Sequence, residues 1–316
     1  MNLETRGVTI NGGDGVVLSG TLVAPMNRRP SPGALLLSGS GPLDRDSNTA
    51  GQRLDISSTL AAALGAVGIA SLRFDKRGVA ASSGDFVSTS FEGEISDAAA
   101  ALKSLRGSDA IDPCRVGIIG HSVGATVAAR LAATDTTVAF AVLLGCAASS
   151  GADVMGWQTE RIASTLPGPT WILGRHFRRK QAQHLHRLAT SGGDAIRIGK
   201  EDVPARWLRE YRAHEPLADL AALNCPVLAI TGGKDIQVNP ADVDRIAAAV
   251  SGPCATLVPD DLTHILRSSS QEPSIARYSK LLQHPVDADL VETISNWTLD
   301  QTRRDPMSVD SDEQPS

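Results

Sequence analysis

The chain has 316 residues, of which 42% are hydrophobic and 21% charged, with a formal net charge of −5 at pH 7. That is enough apolar material for one large α/β domain or two smaller ones. The acidic balance argues against a nucleic-acid partner, which calls for a basic patch, and no run is long and apolar enough to span a bilayer.

Residues 1–6 lack the apolar core of a signal peptide, so the expected location is cytoplasmic. Cys114, Cys146, Cys225 and Cys254 show no C-x-x-C spacing, so neither a structural metal nor a redox dithiol is expected. Cys225 and Cys254 each precede a predicted strand, and a bridge between them is conceivable. A reducing compartment favours free thiols instead.

Residues 7–24 alternate apolar and polar side chains around Asn11-Gly12-Gly13-Asp14-Gly15, which predicts a hairpin with strands over 8–10 and 16–23. Residues 34–37 read as a short, fully buried strand of a parallel sheet. The Gly-rich loop Ser38-Gly39-Ser40-Gly41-Pro42-Leu43-Asp44-Arg45-Asp46 follows. The spacing of Ile56, Leu60, Leu64 and Val67 predicts a helix over 55–66. A strand over 69–74 comes next, then a helix over 91–105 with Ser90 as its N-cap. Residues 116–119 form a further strand, 123–133 a helix and 139–144 a strand. Such alternation predicts a mostly parallel sheet with helices on both faces.

The pattern breaks after Gly145. Residues 147–223 hold helical stretches over 154–166, 177–190 and 203–220 but no comparable apolar strand. They carry Trp157, Trp171, Phe177, Trp207 and Tyr211 in a chain that is only 3% aromatic, and a basic cluster of Arg175, Arg178, Arg179 and Lys180. Alternation resumes with a strand over 226–231, a helix over 240–250, a strand over 255–258 and a final helix over 287–299. Polar residues 302–316 are expected to be disordered. The chain therefore divides into an α/β core domain of residues 1–146 and 224–301, an insertion over 147–223 and a tail.

The chemistry gathers at predicted strand ends, where open parallel sheets bind their ligands. Gly120-His121-Ser122-Val123-Gly124 joins an apolar strand to an Ala-rich helix, the pattern of a nucleophile elbow. Asp235 follows the strand over 226–231, and His264 follows the strand over 255–258. Ser, Asp and His in this order suit an α/β-hydrolase triad. Ser122 would be the nucleophile and His264 the proton carrier, with Asp235 holding the imidazole tautomer. Asp260 and Asp261 compete for the acid role. His121 is expected to pack or hydrogen-bond away from the reaction. Val123 and Ser40 are the expected backbone donors of an oxyanion hole, with Gly39 or Gly41 as alternatives to Ser40. Asp44-Arg45-Asp46 and Asp75-Lys76-Arg77 are expected to act as ion-paired loop braces.

The sequence resembles the α/β-hydrolase family, especially bacterial lidded serine hydrolases of the serine aminopeptidase and monoacylglycerol-lipase type. The matching pieces are the Ser38–Asp46 loop, Arg73-Phe74-Asp75-Lys76-Arg77-Gly78, the elbow, the Asp235 loop and Thr263-His264. Two positions depart from the pattern. Ser38 stands where relatives often carry His, and Ala80 where they commonly carry Gly. The resemblance implies an α/β-hydrolase fold and a helical lid formed by residues 147–223. It also implies hydrolysis of a small-molecule acyl ester through an acyl-enzyme, without metal or cofactor. A thioesterase or acyltransferase acting on carrier-bound acyl groups is an alternative motivated by the basic cluster. An aminopeptidase-like amide hydrolase and a silent binding scaffold are further alternatives, and a homo-oligomer stays open.

Overall fold

A computed structural model describes residues 2–27, 29–165 and 170–303, with 170–173 and 177 described by their backbone alone. Its centre is an eight-stranded sheet. The N-terminal hairpin pairs β1 (Leu3–Asn11) with β2 (Val17–Pro25), both longer than their apolar alternation predicts. The other six strands are β3 (Ser31–Leu37), β4 (Ala70–Phe74), β5 (Ile111–His121), β6 (Ala141–Leu144), β9 (Val227–Ile230) and β10 (Cys254–Leu257). Their order in the sheet is β1-β2-β4-β3-β5-β6-β9-β10. The β1/β2 and β2/β4 pairs are antiparallel, and all pairs from β4 to β10 are parallel. This is the α/β-hydrolase fold.

Residues of β3 and β6 are buried throughout, as expected where helices cover both faces of a parallel sheet. One face packs on α1 (Ile56–Ala66) and α10 (Ala288–Arg303) through Ile56, Leu60, Leu64, Leu290 and Ile294. The other packs on α2 (Phe91–Arg106), α3 (Val123–Thr134) and α8 (Asp242–Ala249) through Phe91, Leu102, Val127, Leu131 and Ile246. Ser90 caps α2 as expected, its Oγ accepting from the Gly93 N–H at 2.9 Å.

The segment between β6 and β9 is not purely helical. It contains α4 (Gly151–Ser164), α5 (Thr170–Thr190), α6 (Ala205–Ala213) and α7 (Pro216–Ala221). Between α5 and α6 lies a separate two-stranded ribbon of β7 (Ala195–Ile198) and β8 (Glu201–Pro204). The helix predicted over 203–220 is therefore broken. Its first residues pair as β8, and Pro216 opens a new helix where a missing N–H costs nothing. An aromatic cluster anchors α6 on the core: Phe91 meets Trp207 and Tyr211 edge-on at 5.7 and 5.5 Å, while those two rings stack at 5.0 Å.

A short helix not expected from the sequence, α9 (Tyr278–Leu281), precedes α10. Residues 302 and 303 belong to α10 rather than to a tail, because Thr302 is buried against the core. The rest of the predicted tail lies outside the described residues. All four cysteines are free, so no bridge joins Cys225 and Cys254. Among the described residues, no helix is long and apolar enough to cross a membrane.

Candidate active site

The elbow is built by close packing on both sides of Ser122. β5 ends at His121 and α3 begins at Val123, leaving Ser122 alone in the turn at φ 55° and ψ −124°. A side chain is rarely tolerated in that backbone region, and such strain gathers at functional sites. The flanking glycines make the turn fit. A Cβ on Gly120 would lie 2.1 Å from the Gly124 carbonyl oxygen, and one on Gly124 would lie 2.4 Å from the Leu37 oxygen. Neither clash has room to relax.

The turn aims Ser122 at His264. His264 Nε2 lies 3.0 Å from Ser122 Oγ, and His264 Nδ1 lies 2.7 Å from Asp235 Oδ2. The Asp235 carboxylate is itself fixed, since Oδ1 accepts the N–H groups of Gln237 at 2.7 Å and Val238 at 2.8 Å. Asp235 and His264 are both buried. The competing carboxylates are placed elsewhere. Asp261 pairs with Lys234 at 2.5 Å on the surface, and Asp260 is exposed.

Two residues hold the His264 loop from beneath. The His121 Nε2–H donates to the His264 carbonyl at 2.8 Å. Arg267, buried, donates to the carbonyls of Leu54, Ile265 and His284. The sequence predicts that His121 packs or hydrogen-bonds away from the reaction, which this contact matches without its partner having been foreseen, and it does not single out Arg267. Neither role has a local signal, because each partner is remote or is a backbone carbonyl.

Burial, and after it the neighbouring His264 ring, pushes the His121 imidazole down to about 3. An exposed imidazole titrates near 6.5, so at pH values between about 6.5 and about 3 the unfolded chain binds a proton that the folded chain refuses. Stability from the neutral ring is therefore complete above about pH 6.5 and falls with acidification, by at most about 1.4 kcal/mol per pH unit. His121→Gln keeps a donor but does not titrate. Urea unfolding at pH 6, 5 and 4 should give a flatter loss of stability in this variant, and equal slopes would refute the assignment.

Loop 38–48 reaches Ser122 from β3. Ser40, Ser122 and Val123 line a common cavity of about 150 Å³, together with Gly145, Met155, Trp207, Tyr211 and Val238. Among the described residues, no protein acceptor takes the Ser40 N–H. Val123 opens α3, where the first N–H groups lack intrahelical partners.

The loop's charged residues act as braces. Arg45 binds Asp75 through Nε at 3.0 Å and Nη2 at 2.6 Å, and also reaches Ser19 and Thr21. Burial opposes ionisation of Asp75, but the hydrogen bonds from Arg45 and the Ala81 N–H outweigh it and hold the carboxyl below its ordinary range. Arg73 pairs with Asp46, and Arg77 with Asp97.

The two departures from the family pattern have visible consequences. Where relatives often carry His, Ser38 Oγ lies 3.0 Å from Ser47 Oγ, which lies 2.6 Å from Ser57 Oγ. A chain of hydroxyls thus ties the loop to α1. Ala80 adopts φ 48°, the left-handed region where a Cβ costs roughly 1–2 kcal/mol.

The serine aminopeptidase S33 family model matches residues 51–266, more than half of the chain. The chain belongs to that family. The match contains Ser122, Asp235 and His264. Esterase EstD of Thermotoga maritima is 27% identical over 305 residues, covering 94% of this chain and 68% of that protein.

Solved structures share the fold at lower identity. Est1E from Butyrivibrio proteoclasticus with bound ferulic acid superposes with a TM-score of 0.63 at 16% identity, covering 94% of this chain and all of that one. The Pyrococcus furiosus esterase Pf2001 gives 0.61 at 17% identity, covering 95% and 92%. DcsB in complex with a substrate analogue gives 0.65 at 14% identity, covering 95% and 99%.

The inserted segment contributes unevenly to the cavity. Val154, Met155 and Gln158 of α4 line it, as do Trp207, Leu208 and Tyr211 of α6. Trp157 does not, and the side chains of Trp171 and Phe177 lie outside the described residues. None of Arg175, Arg178, Arg179 and Lys180 lines it either, and Arg178 faces Glu160 on the surface.

Proposed function

We propose that the protein hydrolyses carboxylic esters through an acyl-enzyme, with Ser122, His264 and Asp235 as its catalytic triad. One observation carries this reading: His264 bridges Ser122 Oγ and Asp235 Oδ2 at hydrogen-bond distance, beside a cavity lined by Ser40 and Val123. Ser122 Oγ attacks the ester carbonyl carbon while His264 Nε2 takes its proton. The N–H groups of Ser40 and Val123 receive the charge that develops on the carbonyl oxygen. His264 returns the proton to the departing alcohol oxygen as the C–O bond breaks. Water, deprotonated by His264, then releases the acid and restores Ser122.

The esterase names of the Thermotoga and Pyrococcus proteins favour an oxygen ester over a thioester. The position of the basic cluster away from the cavity does the same. In this reading residues 147–223 serve as the lid of an α/β core, with α4 and α6 roofing a pocket for a compact acyl or alcohol group.

A second reading, cleavage of an aminoacyl bond, is favoured by one feature. A cleft of about 730 Å³ adjoins the pocket across Trp207 and Leu208, and Asp85, Glu201 and Asp202 line it. Carboxylates there suit a substrate's ammonium group.

Matched p-nitrophenyl acetate and butyrate esters, an acetyl thioester and amino-acid p-nitroanilides separate the readings. Ester hydrolysis is expected to dominate, with a fluorophosphonate probe attached to Ser122 in the peptide map. A folded sample that neither labels nor cleaves any ester would leave a binding scaffold as the better account.

A further inference from the structure

A buried cation stands directly behind the expected oxyanion donor. Lys76, 8% exposed, donates through Nζ to the Gly39 carbonyl at 2.5 Å and to Glu94 Oε1 at 2.5 Å. Glu94 Oε2 in turn accepts the indole N–H of Trp207 at 2.7 Å. The result is a continuous line of hydrogen bonds from α6, through the first turn of α2, to loop 38–48.

The Gly39 carbonyl and the Ser40 N–H belong to one peptide unit, and that unit is trans. In a trans peptide the two groups are rigidly coplanar and point in opposite directions. A group that holds the carbonyl on one side therefore sets the direction of the N–H on the other. The rest of the loop is tied down through Ser38 and Arg45, but among the described residues Lys76 Nζ is the one hydrogen-bond partner of this peptide unit, and Gly41 beyond it adopts φ 95°. The peptide also sits close against the nucleophile: a Cβ on Gly39 would lie 3.2 Å from Ser122 Cβ.

We propose that Lys76 is a positioning residue for the Ser40 oxyanion donor, holding the Gly39 carbonyl so that the Ser40 N–H faces the reacting carbonyl at Ser122. A cation on the carbonyl also polarises the peptide, making its N–H a stronger donor. Glu94 neutralises the buried ammonium, and Trp207 fixes Glu94. Through this line a helix that walls the pocket also sets the geometry of the donor. Lys76 touches neither substrate nor nucleophile; its effect passes through one peptide unit.

This inference rests on the esterase reading, and its test separates the two. Lys76→Met should lower kcat about 10- to 100-fold on a p-nitrophenyl ester with KM changed less than about threefold, because the donor matters most in the transition state. Affinity for a trifluoromethyl ketone, whose adduct carries the oxyanion, should fall by a similar factor. Lys76→Arg, which can donate to the same carbonyl, should recover most of both losses. Thermal unfolding identifies folded variants. If Lys76→Met does not fold, Trp207→Phe keeps an aromatic side chain in the pocket wall, loses the indole N–H and should show the same losses in weaker form, several-fold in both readouts.

A folded Lys76→Met with wild-type kcat overturns the inference. So does a loss of kcat with ketone affinity unchanged, or, where Trp207→Phe is the only folded variant, wild-type values for both readouts. In each case the wild-type enzyme still cleaves esters, and the triad reading stands. A wild-type protein that cleaves no ester would overturn the esterase reading itself.

Discussion

Ser122→Ala is expected to lower kcat for ester hydrolysis on the order of 10⁶-fold, close to the rate that the remaining site can support. The reason lies in the elbow. Ser122 is the residue that the turn between β5 and α3 presents to His264, and its Oγ is the group within 3.0 Å of His264 Nε2. With the hydroxyl gone, His264 has no nucleophile to activate and no acyl-enzyme can form. Intact-mass analysis during turnover should show an acylated species in the wild type and none in the variant. The fold should survive, since the glycines that accommodate the turn are untouched. Wild-type turnover by a folded Ser122→Ala protein would end the proposed mechanism.

Asp235→Asn should cost about 10⁴-fold in kcat, although the two side chains have nearly the same shape. Asp235 Oδ1 accepts two backbone N–H groups, from Gln237 and Val238. In the variant the amide oxygen must stay on those donors, so the NH₂ group faces His264 Nδ1. That nitrogen must then accept, which places the imidazole proton on Nε2. There it donates to Ser122 Oγ and cannot take its proton. Asp260→Asn and Asp261→Asn supply the control. Both carboxylates are on the surface, Asp261 on Lys234, and both variants should turn over at wild-type rates. If Asp261→Asn rather than Asp235→Asn lost activity, the acid would have been misassigned.

These aspartates mark the limit of what a linear sequence can carry. The elbow is legible because its requirements are local: an apolar strand, glycines two residues either side of Ser122, and a helix. The alternation of strands and helices is equally local, and so the parallel sheet and the covering of both its faces follow from it. Asp235 and Asp261 each lie in a polar loop after a late strand. Only the adjacency of β9 and β10 in the sheet turns one toward His264 and the other toward solvent.

The β7/β8 ribbon was missed for a related reason. Its strands are four residues long, exposed or half-buried throughout and interrupted by Arg197, Glu201 and Asp202, so their backbone pairing is not announced by an apolar run. The turn itself carried a signal. Gly199-Lys200 sits between Ile-Arg-Ile and Glu-Asp-Val, and Gly199 takes φ 65°, as a two-residue hairpin loop requires. The two prolines at 204 and 216 mark the true bounds of α6 and its break from α7.

By itself, then, the sequence determined the family, the layered α/β architecture and the residues of the nucleophile elbow, because short-range spacing and backbone sterics specify them. The tertiary structure decided which acid meets His264 and which side chains wall the pocket. It also turned Lys76 from one charge in a polar loop into the support of the Gly39 carbonyl. Those outcomes depend on hydrogen bonds between groups tens of residues apart. Such bonds have fixed direction and reach only about 3 Å. No periodicity in the chain records which distant partners the fold will bring within that range.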